Sequence, residues 1–282
     1  MSMEFAMALP QGGRAANPEA IRTVALEAER LGYSHLWTND HITSPQDDRG
    51  HISPFMFDPI MAITVAGAIT SEIGLGVQLT APYYEPLWLA NALASLDVLT
   101  AGRVLVSLGI GWSELEYAAL SSDFHTRGAR LDEMVEIIRT AWTQDFVPFE
   151  TAHYSLPAVK ISPKPAHPIP LWISGTSEPA YARATRIGDG YHGHAVQDIV
   201  VDNVDEKVAR IRRDRPEESF TFSVYTWEWD LARRSEDELL AEKDAYEEAG
   251  VQHVVIALDT PDLDTRLANI ARLAEILEIP AR

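Results

Sequence analysis

Asp40 and His41 stand side by side directly after a short run, His35–Thr38, that reads as a β-strand. An imidazole held at a strand end can give or take a proton near neutral pH, and the neighbouring carboxylate can hydrogen-bond a ligand or merely fasten the loop. His192 and His194 alternate, which in a strand places both on one face. Glu114 and Glu116 follow the run Gly109-Ile110-Gly111-Trp112. Its glycines either let backbone approach a flat ligand or make a tight turn. Gly175-Thr176-Ser177 leads into a helical segment, so its amides and hydroxyls could seat an anion, or one hydroxyl could be an ordinary N-cap.

Asp40, His41, His51, His192 and His194 are also metal-ligand types, and His-x-His is a spacing used by metal-dependent hydrolases. Such barrels carry a histidine pair at the end of the first strand, where this chain has Met7-Ala8-Leu9-Pro10, so no metal is expected. Arg127 and Arg130 lie beside Asp132 and Glu133, and an ion-pair cluster at a helix end explains them better than phosphate binding. Tyr225, Trp227 and Trp229 alternate along one strand face. Packing accounts for the first, and Trp229, at the strand end, is expected in a substrate pocket.

The elements that would position these residues alternate almost from end to end. Strands are expected at Glu4–Ala8, His35–Thr38, Ile73–Thr80, Val104–Leu108, Leu171–Ser174, Gly190–Gly193, Phe220–Trp227 and Val254–Leu258. Helices are expected at Pro18–Leu31, Asp58–Thr70, Pro86–Leu99, Ala129–Trp142, Glu178–Ile187, Ile199–Arg213, Ser235–Ala249 and Asp262–Leu277. Local signals support several ends: Asn17 before Pro18, Gly32 after the first helix, and Ser235 with Glu238 as a capping box closed by Gly250. The proline-rich stretch Asp145–Pro170 is too long for a plain connection and suggests a small hairpin, Val147–Phe149 with His153–Ser155. Eight strand–helix pairs predict a single-domain α/β fold, a (β/α)8 TIM barrel with extended loops spanning residues 1–282. A doubly wound dinucleotide fold is disfavoured, because Gln11-Gly12-Gly13-Arg14 lacks the third glycine of the fingerprint.

The composition excludes some functions. With 23 Lys+Arg against 42 Asp+Glu, the net charge of −19 argues against broad binding to nucleic acid or anionic membrane. Residues 228–248 alone hold nine acidic and three basic side chains, the composition of a solvated outer face. The absence of cysteine removes disulfides, thiolate metal sites and thiol nucleophiles, and fits a reducing compartment. The N-terminus lacks a basic region, and the longest apolar run, PIMAITVAGAIT, is too short to span a bilayer. A soluble, cytoplasmic protein is the expectation.

Taken in order, four stretches resemble the bacterial luciferase-like monooxygenase superfamily, in its branch of F420-dependent (deazaflavin) oxidoreductases. They are LGYSHLWTNDH (31–41), IGLGVQLTAPYYEPLWLANALASLDVLTAGRVLVSLGIGW (73–112), FHTRGARLDEMVEIIRTAW (124–142) and ISPKPAHPIPLWISGTSEPAYARATRIGDGY (161–191). The resemblance implies coenzyme F420, or alternatively FMN, across the C-terminal mouth of the barrel. It implies Asp40 beside the cofactor ring and His41 as proton donor or acceptor. It also implies a non-proline cis peptide at Gln78–Leu79 bulging against the ring, backbone contacts from Ile110 and Gly111, and a phosphate seat at Gly175, Thr176 and Ser177.

The chain departs from that pattern in places. Ser107 replaces a glycine, Tyr191 a common tryptophan, and Trp112 the catalytic glutamate of the sugar-phosphate dehydrogenases, so sugar oxidation is not expected. Glu114 or Glu116 could reach the pocket instead, and Glu116 is the candidate second catalytic residue. Tyr83, Trp112, His194 and Trp229 are the candidate substrate contacts, suiting a flat or apolar small molecule. The reading is hydride transfer between F420 and an organic substrate in a homodimer. The alternatives are an FMN-dependent monooxygenase using O2 and a non-catalytic flavin-binding barrel.

Overall fold

The structure is a computed structural model that describes residues 3–43, 55–195, 199–200, 202–227, 229–231 and 233–281. The chain begins with β1 (Glu4–Ala8), α1 (Pro18–Arg30), β2 (His35–Thr38), α2 (Pro59–Ile69), β3 (Gly74–Thr80), α3 (Pro86–Leu99) and β4 (Val104–Gly109). It continues with α4 (Glu114–Ala119), α5 (Arg127–Thr143), β5 (Val147–Glu150), β6 (Ser155–Val159), β7 (Leu171–Ser174), α6 (Glu178–Ile187) and β8 (Gly190–His194). The last elements are α7 (Val204–Asp214), β9 (Thr221–Thr226), α8 (Glu236–Ala249), β10 (His253–Ile256) and α9 (Leu263–Ile276).

Eight strands close a parallel barrel in the order β1-β10-β9-β8-β7-β4-β3-β2, while β5 and β6 form a separate antiparallel hairpin. Local chemistry sets many boundaries. Asn17 Oδ1 accepts from Ala20 N at 2.9 Å, Ser235 and Glu238 complete the capping box, and Gly250 ends α8 at φ 90°. The helix expected over Ile199–Arg213 starts later, at Val204, after Val200 N donates to Asn203 Oδ1 and turns the chain.

Each strand separates two packing regions, because successive side chains point to opposite faces. Met7, Leu36, Val77, Leu79, Val106 and Ile173 face outward into the main core under the helices. Ala6, Ala8, Trp37, Leu105, Trp172, Tyr225, Val255 and Ala257 fill the barrel interior. Trp37 and Trp172 stack there, with ring centroids 5.8 Å apart. Gly76 makes room for them: a Cβ at this position would lie 1.7 Å from Trp37 Cε3.

The interior is also polar. His192, Ser223 and His253 form a buried chain, His192 Nδ1 and His253 Nδ1 each lying 2.9 Å from Ser223 Oγ. No described helix is long and apolar enough to cross a membrane.

Candidate active site

A parallel barrel brings all eight strand C-termini to one rim, so the loops after β2, β3, β4, β7, β8 and β9 meet there whatever their separation in sequence. Asp40 and His41 follow β2. Asp40 is 6 % exposed, and its Oδ2 accepts from Thr80 N at 2.8 Å and from the Tyr84 hydroxyl at 3.1 Å. Its Oδ1 is buried without a partner. Burial pushes the carboxyl up to about 7, against the opposing pull of these two hydrogen bonds. Asp40 therefore exchanges a proton in the physiological range.

His41 and Glu116 are brought together. Ser113 caps α4 by accepting from Glu116 N at 3.2 Å, and this six-residue helix turns the Glu116 side chain inward to 0 % exposure. His41 Nδ1 lies 3.0 Å from Glu116 Oε2, while Glu116 Oε1 accepts from Ile42 N at 2.7 Å and Thr43 N at 3.0 Å. Burial raises the Glu116 pKa, but the hydrogen bonds from His41, Thr43 and Ile42 outweigh it and hold the carboxyl below its ordinary value. An ionised Glu116 can only accept, so His41 donates through Nδ1 and Nε2 is the atom left for exchange. Tyr83 packs against the same carboxylate, and burial followed by that charge drives its hydroxyl pKa upward.

The glycine run after β4 forms one wall. Gly111 takes φ 64°, and a Cβ there would lie 2.7 Å from Thr80 Cγ2. Tyr117 donates to Ile110 O at 2.6 Å, which fixes that stretch of backbone. Trp112 is partly exposed, with its ring centroid 6.0 Å from that of His41. Glu114 stays on the outside, its side chain 4.0 Å from exposed His125.

Beside it, after the neighbouring strand β7, Gly175 takes φ 142°, and a Cβ would meet Ala180 Cβ at 2.7 Å. Tyr191 in turn donates to Gly175 O at 2.8 Å. Thr176 and Ser177 are exposed at the start of α6, and the Ser177 side chain makes no capping hydrogen bond. The ordinary N-cap explanation for this serine therefore fails.

Gln78 and His194 meet inside the rim, Gln78 Nε2 lying 3.4 Å from His194 Nε2. Gln78 Oε1 and His194 Nδ1 are buried without partners. Burial lowers the His194 pKa to about 4, so this imidazole is neutral at physiological pH. The His194 ring stacks on Trp227, with centroids 5.7 Å apart.

Several expectations are corrected. The Gln78–Leu79 peptide is trans; the cis bond among the described residues is Ser162–Pro163. Gln78 and Leu79 stay in unbroken register with Ser107 and Leu108, so β3 makes no bulge there. The Leu79 side chain points into the outer core and cannot touch a ligand in the mouth.

Trp229 is likewise no pocket residue. It is 0 % exposed, stacked near Tyr246 and against Phe5 in the outer core. Strand β9 ends at Thr226, so the alternation that would align Trp229 with Tyr225 does not continue. Trp227, which lies in the last residues of the expected strand, takes that place. Tyr84 was also missed as the donor to Asp40; its position after β3 was the only signal.

Arg127 and Arg130 do not form an ion-pair cluster with Asp132 and Glu133. Arg127 Nη1 donates to Phe124 O at 2.6 Å, and Arg130 Nη2 to Pro82 O at 2.9 Å. Asp132 pairs with Arg183 and Arg186, and Glu133 with His153. His192 sits a layer below His194, bonded to Ser223, rather than sharing the mouth. His51 lies outside the described residues.

A closed parallel (β/α)8 barrel of this kind is the architecture of the luciferase-like monooxygenases. The chain belongs to that family, whose model matches residues 3–257. It is 33% identical over 175 residues to the F420-dependent hydroxymycolic acid dehydrogenase of Mycobacterium tuberculosis, covering 61% of this chain and 48% of that one. The match thus spans about half the length of that relative. Among solved structures, monooxygenase RslO1 from Streptomyces bottropensis superposes with a TM-score of 0.81 at 19% identity, over 98% of this chain and 99% of that one. An F420-dependent secondary alcohol dehydrogenase in complex with an F420-acetone adduct gives 0.80 at 18% identity, over 99% of both chains. These two likenesses bear on the fold.

Proposed function

We propose that the protein is an oxidoreductase that binds coenzyme F420 in this mouth and transfers a hydride between it and a small organic substrate, with His41 as proton donor or acceptor. The observation that carries the reading is the His41–Glu116 pair at 3.0 Å on the rim, beside a buried Asp40 whose Oδ1 has no partner. The F420-dependent relative supports the choice of cofactor.

The residues present fit such a group. The unpartnered Asp40 Oδ1, Gln78 Oε1 and His194 Nδ1 offer polar edges that a heteroaromatic ring could satisfy. Gly111 carries no Cβ and takes φ 64°, which leaves backbone of the Ile110–Gly111 run open to close approach, and Gly175, Thr176 and Ser177 provide amides and hydroxyls for phosphate at a helix start. That local seat matters, because the protein's overall charge of −19 repels an anion. F420, when bound, supplies or accepts the hydride.

The chain's own part is orientation and proton handling. Glu116 engages His41 through Nδ1, so Nε2 is the ring nitrogen left to exchange the proton that accompanies substrate reduction or oxidation. Tyr83, Trp112 and Trp227 wall the mouth and favour a flat or apolar substrate. The second reading, an FMN-dependent monooxygenase using O2, draws on the likeness to RslO1. The family resemblance adds a homodimer and a cytoplasmic location to the proposal.

Fluorescence quenching with F420 and with FMN, followed by anaerobic assays, tests the reading. F420 should bind in the micromolar range and turn over without O2. Binding of FMN alone with O2-dependent turnover would favour the monooxygenase, and binding of neither would sink both.

A further inference from the structure

We propose that the opposite, N-terminal mouth of the barrel holds a divalent transition-metal ion, ligated by Glu4, His35 and His253. The three residues each place one ligand atom within 4.8 Å of the others. They come from the first positions of three neighbouring strands, since β1 lies between β10 and β2. Glu4 stands opposite His253 in the ladder. All three precede interior-facing residues by two positions, Ala6, Trp37 and Val255, so strand alternation turns them toward one another inside the barrel.

The second observation concerns His253 itself. It is 1 % exposed, its Nδ1 is engaged by Ser223 Oγ at 2.9 Å, and its Nε2 is buried with no hydrogen-bond partner. A buried polar nitrogen without a partner requires an explanation, and an imidazole fixed through one nitrogen with the other available is the arrangement of a metal ligand. The His35 ring is oriented through its Nδ1, which lies 3.1 Å from Ser34 Oγ. Gly74 leaves the space that ring occupies, because a Cβ there would lie 2.2 Å from His35 Cδ2. Glu4 is exposed and gives an ion access from solvent.

Two imidazoles and one carboxylate select zinc-like ions (Zn2+, Co2+, Ni2+ or Cu2+) over Mg2+ or Ca2+, and leave a position for water. The ion would tie the first strand of the barrel to the last, a staple across the closure seam. This revises the expectation of no metal, which weighed Asp40, His41, His51, His192 and His194. The site is at the far end from the candidate active site and does not depend on the F420 reading.

The test uses the full-length protein without a histidine tag, stripped with chelator and titrated with Zn2+ or Co2+. One equivalent should bind, Co2+ should give a visible d–d band, and saturating Zn2+ should raise Tm by on the order of 5 °C. His35→Ala and Glu4→Gln alter positions that are not fully buried, and circular dichroism verifies their fold. Each should weaken Zn2+ binding roughly tenfold or more and abolish the Tm rise, while His125→Ala, on the outer surface, should not. Absence of stoichiometric binding, or unchanged affinity in both His35→Ala and Glu4→Gln, would overturn the proposal.

Discussion

Glu116 Oε2 and His41 Nδ1 meet at 3.0 Å although 75 positions separate them in the chain. The contact fixes one tautomer of the imidazole, because the carboxylate is held ionised by hydrogen bonds from backbone at Ile42 and Thr43. Glu116→Gln keeps the size but can present an N–H to His41, releasing the ring from that tautomer. We expect kcat to fall by about 10²-fold with cofactor affinity nearly unchanged. Nitrogen chemical shifts of His41 should move toward the other tautomer; an unchanged spectrum would remove Glu116 from this positioning role.

Asp40 carries a pH-dependent penalty. Its folded pKa, raised by burial to about 7, lies above the ordinary 3.8, so the unfolded chain loses the proton first as pH rises. The stability from this group is complete below about pH 4 and is lost as pH rises through 7. Asp40→Asn should therefore be more stable than the parent at pH 8, by up to a few kcal/mol, since a tenfold change in a protonation equilibrium is worth about 1.4 kcal/mol. The two should converge near pH 4, as measured by denaturant unfolding. The variant should also lose any change in F420 affinity across pH 7.

His192 and His194 act in the other direction. Burial depresses both folded pKa values below the ordinary 6.5, His194 to about 4. Their stability is present above 6.5 and is lost as pH falls, because the unfolded chain takes up those protons first. Below pH 6.5, two imidazoles oppose the single Asp40 carboxyl, so these three groups together should favour the higher pH. His194→Gln should flatten that slope in urea titrations; an unaltered slope would show that the imidazole does not titrate in this window.

Trp227 and Trp229 should separate cleanly. Trp227 stacks on His194 at the rim, whereas Trp229 is buried in the outer core. Trp227→Ala should raise KM for the organic substrate several-fold with little loss of stability. Trp229→Ala should cost about 3–5 kcal/mol and leave KM for the folded fraction unchanged. The reverse pattern would restore Trp229 as a pocket residue.

The eight strand–helix pairs were legible in the chain because their signals are local. Asn17 before Pro18, the Ser235–Glu238 box and Gly250 at φ 90° act within a few residues of the ends they define. The short helix α4 escaped notice, although Ser113-x-x-Glu116 has the form of a capping box. Its glutamate reaches not back to Ser113 but across to His41, and no local pattern distinguishes the two. The trans geometry at Gln78–Leu79 follows from the ladder with β4, an interaction outside the segment itself.

Sequence alone thus determined that β2 would be followed by Asp40 and His41 on the rim of a parallel barrel, because periodicity and turn chemistry act over a few residues. Only the tertiary structure decided what those residues touch. Barrel closure sets Glu116 against His41, turns Trp229 outward once β9 stops at Thr226, and gathers Glu4, His35 and His253 at the other end. Such pairings depend on strand order and on where alternation stops, which no single stretch of the chain encodes.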